Sequence, residues 1–567
     1  MKKRTVLLLL AAICMTILFG CATQPEIETQ PSKIETQPSE IETPPLSEVS
    51  VIPSAIVIGN EEKSYVRAIA ASVNTLIGAD NLVYAVDNAP DADMRIYIGN
   101  PQELQLDSFA NELLFFDYLV TVRDGDLYIL SYNDKRLEEV AMVVLKEING
   151  WYSDKTIAVP DDYELVSNLS EVFLYNDIPH INGSQQVTAH DYDNGHSVLA
   201  MQDVSAEEFD AYCSKLASEG FTLYAENEIG GNHFFTYTNE DGMMLHTYRI
   251  AYSNEARIIV AETDLLPFVS AADTESVCTP LLHQLRSGEE MGYILRLADG
   301  RFIIIDGGNS NSGTEDEIYS FLKRHAPDAE HIEIAAWFIT HAHIDHCGGM
   351  IEFAKKYASD SSFSIQCVMF NPCESAEQME YCSSVRNELC AALTAYYPDV
   401  PIYKPLTGQL FTFGKTTIEI LYTMSDFLPN TIAYEPDGKG GDYNVMTTVS
   451  MIDIDSTADL GDRFFVMGDT TTVACNEMSA RYGDAMKCDF VQVSHHGHSP
   501  LPTGLNCRRN NATIEIYDFI DPDIALWPAE ASNIAPRSEL EVNAHLISIV
   551  DEVVVAGKGA ATFEFAK

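Results

Sequence analysis

Basic residues are scarce in this 567-residue chain: 34 Lys and Arg stand against 85 Asp and Glu, a formal net charge of −51. That imbalance argues against tight, sequence-independent binding to nucleic acid, which neutralises phosphates with Lys and Arg, so no stable nucleic-acid complex is expected. It leaves room for a nuclease whose site is made positive by metal ions. It also suits an exported protein kept soluble by an acidic surface. Cysteine is sparse too. There are twelve, none in a Cys-x-x-Cys pair, which speaks against a structural zinc clip and against a disulfide-dense scaffold. Cys367, Cys373, Cys382 and Cys390 cluster in sequence and could pair. The apolar run Val6–Phe19 is too short for a stable membrane span. What remains, 46% hydrophobic and 21% charged, is ordinary globular material too long for one core, and two to four domains are expected.

Lys2, Lys3 and Arg4 ahead of that short run mark residues 1–20 as a signal peptide. Its end, Leu18, Phe19, Gly20 and Cys21, resembles a bacterial lipobox. The resemblance implies that Cys21 becomes the lipidated first residue and that lipid chains hold the protein on the extracytoplasmic face of the cell membrane. Residues 21–50 repeat Ile-Glu-Thr with prolines every seven residues, from Ile27, Ile34 and Ile41. One apolar residue and a proline per repeat cannot sustain a coiled coil, so this segment reads as a disordered, extended spacer.

Two small α+β domains are expected next. Over 51–168, strands at 55–59 and 94–99, a hairpin across Asp124 and Gly125, and helices at 62–77 and 135–148 alternate. This part resembles the accessory domains of carbohydrate-active enzymes, which implies contact with a cell-wall glycan. Over 169–268, Phe209, Tyr212 and Leu216 fall on a helical period, and strands follow around the turn at Asp241 and Gly242. His190, His196, His233 and His246 are scattered there without ligand spacing, and no role is assigned to them.

The chemistry lies in 278–567. A hairpin crosses Asp299 and Gly300, and strands and helices then alternate to the end, which predicts two mixed sheets covered by helices. Directly after the apolar strand 333–339 comes Thr340, His341, Ala342, His343, Ile344, Asp345, His346. Residues i and i+2 of an extended segment point the same way, so His341 and His343 can grip one ion, while Asp345 and His346 face a second. Imidazole and carboxylate donors together suit zinc, iron or manganese. Gly348 and Gly349 let the next helix start close by. Two later strands end in Gly468, Asp469 and in Ser494, His495, His496, Gly497, His498, each placing candidate ligands at a sheet edge.

In this order the motifs resemble the metallo-β-lactamase superfamily, over about Pro280 to Phe565. The resemblance implies a four-layer αβ/βα sandwich with two divalent metal ions, zinc being the expected identity and manganese the alternative. His341 and His343 then match ligands of the first metal, Asp345 and His346 those of the second, and Asp469 the carboxylate shared by both. One of His495 and His496 completes the second site. His496 is the favoured ligand, with His495 facing substrate as a catalytic group beside Asp345. Asp306 matches the strand-end aspartate that orients ligands. Many relatives carry a further first-metal histidine between these motifs, yet no histidine occurs from Cys347 to Thr470. Asn444 stands before the corresponding strand instead. The hydrolase domains of bacterial DNA-uptake channel proteins are similar there, and secreted phosphorylcholine esterases resemble the final motif.

Two metals about 3.5–4 Å apart can share a hydroxide and hold both the attacking and the leaving oxygen. β-Lactamases of this fold typically have cysteine where Asp469 stands, so phosphoester cleavage is the expected activity. His495 or His498 could bind a phosphate oxygen, with Arg508 and Arg509 as further candidates. The alternatives are a carboxylic ester, thioester or lactone hydrolase, and a surface binding protein with a degenerate hydrolase domain.

Overall fold

Strands with apolar side chains on both faces dominate the chain, and a strand buried on both faces needs a layer on each side. A computed structural model gives the architecture. It describes residues 48–565 apart from short breaks, most of them in the N-terminal half, and the stretches 168–180, 269–275, 372–383, 424–443, 456–461 and 499–511. The expected signal peptide, Cys21 and most of the spacer lie outside the described residues, as do Cys373, Cys382, Arg508 and Arg509. Cys367 and Cys390 are free thiols. Among the described residues no helix is long and apolar enough to cross a membrane.

The first sheet runs Val83–Ala85, Ala55–Ile58, Arg95–Gly99, Asp126–Ser131, Tyr118–Arg123, Glu164–Ser167 in spatial order. Its first four strands are parallel and the rest antiparallel. Helix Ser64–Leu76 covers one face through Val66, Ile69, Ala70 and Val73, joined by Leu137, Val140, Val144 and Ile148 at helical spacing. The second sheet is six-stranded and antiparallel, built from residues between Gln185 and Glu262. The period of two sorts its side chains. Leu199, Met201, Leu245, Ile258 and Val260 face helix Ala206–Ser218. Val198, Ala200, Met244, Tyr248 and Ile259 face the other way, into the same apolar core as the C-terminal domain. Ser205 caps the helix with a reciprocal Glu208 box, as its sequence favours.

The C-terminal domain has two sheets face to face. One orders Ile402–Tyr403, Val368–Phe370, Ile332–Ile339, Phe302–Asp306, Gly292–Arg296, Leu281–Gln284, Ala561–Glu564, with Phe363–Ile365 beside the third. The other orders Leu410–Phe413, Thr416–Tyr422, Val449–Asp453, Arg463–Val466, Phe490–Gln492, Ile524–Trp527, Glu552–Val555. Ile303, Ile305 and Phe338 meet Ile418, Ile452, Phe464 and Leu526 between the sheets. Their alternate neighbours Phe302, Ile304 and Ile339 pack outward with Ile318, Leu322, Met350 and Phe353 of the helices. The layers are therefore αβ/βα. In each sheet a parallel run of strands ends at one edge, where Asp306, His341, Asp469 and Ser494 leave the sheets. Such carboxyl ends are where open α/β sheets carry their ligands.

Candidate metal centre

His341 and His343 stand on the extended segment that leaves Ile332–Ile339, and His343 is the N-cap of helix Ile344–Tyr357. The helix starts four residues earlier than the glycines at 348 and 349 suggest, so Asp345 and His346 lie in its first turn rather than on a loop. The close approach explains the glycine at 349: a Cβ there would stand 1.8 Å from the Gly307 carbonyl oxygen. Asp469 follows Arg463–Val466, and His495 and His496 follow Phe490–Gln492.

Two donor groups result, His341, His343 and Asp469 in one and Asp345, His346 and His496 in the other, each with its ligand atoms within 4.8 Å of one another. Asp469 reaches both. Its Oδ1 lies 3.2 Å from His346 Nε2 and 3.6 Å from His496 Nε2, while its Oδ2 lies 3.8 Å from His341 Nε2. His496 Nε2 is also 3.4 Å from Asp345 Oδ2.

Outer partners fix the ring orientations. His346 Nδ1 is 2.7 Å from Asp306 Oδ2, and His496 Nδ1 is 2.7 Å from the Pro528 carbonyl oxygen, so each ring donates there and turns Nε2 inward. Asp306 is itself held by the Thr340 backbone N–H at 2.8 Å and hydroxyl at 2.8 Å. Asn444 is buried, with Nδ2 3.2 Å from His495 Nε2.

His341, His346, His496, Asp306 and Asp469 are buried, whereas His343, Asp345 and His495 are half-buried and line the opening. Burial draws His341 well below the ordinary imidazole value, and His346 and His343 push the same way. Burial also lowers His346, but Asp469 and Asp306 outweigh it and hold that imidazole well above the usual value. Burial opposes ionisation of Asp469, yet His346, His496 and His495 keep it well below the carboxylate range. His346 Nε2, His496 Nε2 and Asp469 Oδ1 are buried with no hydrogen-bond partner of sound geometry. Buried polar atoms left so are costly. Convergent imidazole and carboxylate donors of this kind fit two transition-metal ions, zinc, manganese and iron included.

Several positioning residues carry no signal in the sequence. The Arg537 guanidinium donates to the His496 carbonyl at 2.8 Å and to Glu289 at 2.6 Å, and it lies 3.1 Å from His498 Nε2. Trp527 Nε1 donates to the same His496 carbonyl at 2.8 Å, and Asn543 Nδ2 to that of Gly497 at 2.9 Å. These are lone charges and amides far away in sequence, and only the fold brings them here. His498 lies at this rim beside Arg537 and Glu289. His246 is instead a buried packing residue, bonded to Thr236 and to the Thr407 carbonyl.

Residues 291–358 match the family model described as Metallo-beta-lactamase superfamily, a stretch that holds Asp306 and the His341–His346 motif, so the chain carries a domain of that superfamily. No curated protein matches the sequence. Among solved structures, CmlA, a diiron beta-hydroxylase from Streptomyces venezuelae, is 14% identical with a TM-score of 0.32, over 51% of this chain and 54% of that one. The metallo-beta-lactamase fold protein YhfI from Bacillus subtilis is 12% identical with a TM-score of 0.32, over 50% of this chain and 100% of that one. A long form RNase Z from yeast is 9% identical with a TM-score of 0.27, over 44% of this chain and 36% of that one. This chain thus spans about half the length of the CmlA chain.

Proposed function

We propose that this chain is a metal-dependent hydrolase that cleaves phosphoesters. The observation that carries the reading is the division of Asp469: one carboxylate oxygen faces each donor group, which is how a single residue serves two cations. Two bound divalent ions, zinc first, would supply Lewis acidity and an activated water, and would stabilise the extra charge of a phosphoryl transition state. His341, His343 and Asp469 would hold one, and Asp345, His346, His496 and Asp469 the other. Asp306 and the Pro528 carbonyl orient the imidazoles of His346 and His496. At the opening, His498 and Arg537 place cationic and hydrogen-bonding groups where a phosphate oxygen would approach.

The test is a screen of the metal-reconstituted full chain against bis-p-nitrophenyl phosphate, a phosphorylcholine ester, DNA and a β-lactam. Phosphoester turnover that disappears in Asp469→Ala is expected. Hydrolysis of the β-lactam alone would sink the proposal. The same proposal puts this activity on the extracytoplasmic face of a membrane, a reading supported by the lipobox-like sequence at Cys21. Labelled fatty acid should enter the full chain in cells and be lost in Cys21→Ala; labelling of both alike would contradict the anchor.

A further inference from the structure

The two donor groups are unequal. Counting Asp469 in both, the second offers four donors and the first only three, whereas zinc sites of imidazole and carboxylate are commonly four-coordinate. One more imidazole stands beside the shared carboxylate, outside that three-member group. His495 Nε2 lies 3.8 Å from Asp469 Oδ2, the same separation from the same oxygen as His341 Nε2. Two donors about 2.1 Å from one tetrahedral ion stand about 3.4 Å apart, so each imidazole is near the separation from Asp469 that a shared ion requires, and His495 has only to swing toward His341 and His343 to join them.

The backbone points the same way independently. His495 (φ 47°, ψ 46°) and His496 (φ 52°, ψ 17°) are consecutive left-handed residues, followed by Gly497 at φ 69°. Non-glycine residues avoid this region, and such strain persists only where the surroundings enforce it. Here they do, through Trp527 and Arg537 on the His496 carbonyl and Asn543 on that of Gly497. The consequence is geometric: adjacent imidazoles reach opposite oxygens of one carboxylate, His496 to Oδ1 and His495 to Oδ2. Asn444 Nδ2, a donor, stands 3.2 Å from His495 Nε2, so that nitrogen is the unprotonated one, and its single lone pair would pass from the amide to an ion.

We infer that His495 is a ligand of the first metal, supplying the nitrogen that the His-free interval from Cys347 to Thr470 does not. The inference rests on the two-metal reading above and replaces the expectation that His495 only faces substrate. Asn444 then holds that nitrogen only until an ion takes its place.

The test is metal content and affinity of the full chain reconstituted with Zn²⁺, measured by elemental analysis and by competition with a chromophoric chelator. Wild type and His498→Ala should each hold two ions. His495→Ala should hold one tightly and the other at least about tenfold more weakly. Two ions of unchanged affinity in a folded His495→Ala would overturn the inference. Should that variant not fold, the wild type answers directly. With ¹⁵N-labelled histidine, five metal-shifted imidazoles are expected, from His341, His343, His346, His495 and His496, and four would overturn the assignment. Fewer than two ions in the wild type would overturn the two-metal reading itself, a result separate from any failure of phosphoester turnover.

Discussion

Asp306 shows how one side chain governs a site it does not enter. Its carboxylate accepts a hydrogen bond from His346 Nδ1–H and is locked by Thr340, so His346 can present only Nε2. Asp306→Asn keeps the shape but removes the anionic acceptor. We expect metal affinity to fall by about 10–100-fold, read by chelator competition, and the metal-free protein to melt lower as well, because the buried His346 imidazole loses its anionic partner. Unchanged affinity would show that Asp306 does not tune the site. Much of the site at this scale was legible because its residues are local: His341, His343, Asp345 and His346 lie within one short stretch of chain. Asp469 and His496 were legible because each closely follows an apolar strand. Glu289 and Arg537 were not, since an isolated charge in sequence says nothing about the carbonyl it will meet.

Elements follow their sequence signals best where end signals agree with the apolar period. Helix Thr314–His325 carries Glu315, Asp316 and Glu317 in its first turn and Lys323, Arg324 and His325 in its last, the order the helix dipole favours. Paired glycines read as a break, which on sequence alone would start helix Ile344–Tyr357 near Gly348. The helix instead starts at the sheet edge, where the His343 carbonyl accepts from the His346 and Cys347 backbone N–H groups. The turn after Phe490–Gln492 is the most demanding element. A Cβ on Gly497 would lie 2.5 Å from the Trp527 ring, on a backbone that already favours glycine. Gly497→Ala should cost about 1–2 kcal/mol from the backbone alone and more from the clash. Thermal unfolding should show the loss, and zinc analysis should show weakened binding as His496 shifts. Wild-type values for both would contradict the clamp described for this turn.

Over the whole molecule, the second sheet is the part that sequence could not place. Its inner strands His196–Gln202, Met243–Ile250 and Glu255–Glu262 carry apolar side chains on both faces, and nothing local says what covers the second face. The structure shows Phe234, Met244 and Tyr248 in the core of the C-terminal domain, with Asn227 bonded to Glu419 at 3.0 Å and to the Gly408 carbonyl at 3.1 Å across the junction. Glu419 titrates above the ordinary carboxylate value because burial penalises its charge more than the Asn227 hydrogen bond relieves it. Below its unfolded value, about 4.3, the group is neutral in both states and costs nothing. As pH rises past that value the unfolded chain ionises more readily, and stability falls until the folded value is passed. Glu419→Gln should therefore raise the melting temperature at pH 7 and lose that advantage near pH 4; a variant less stable than wild type at pH 7 would contradict this. The central claim, a two-cation hydrolytic centre joined through Asp469, is tested most directly by the rate of bis-p-nitrophenyl phosphate hydrolysis by the metal-reconstituted full chain beside Asp469→Ala. Turnover is expected in the wild type, with a loss in the variant larger than the ~10–100-fold typical of an outer partner. Equal rates in the two proteins would contradict it.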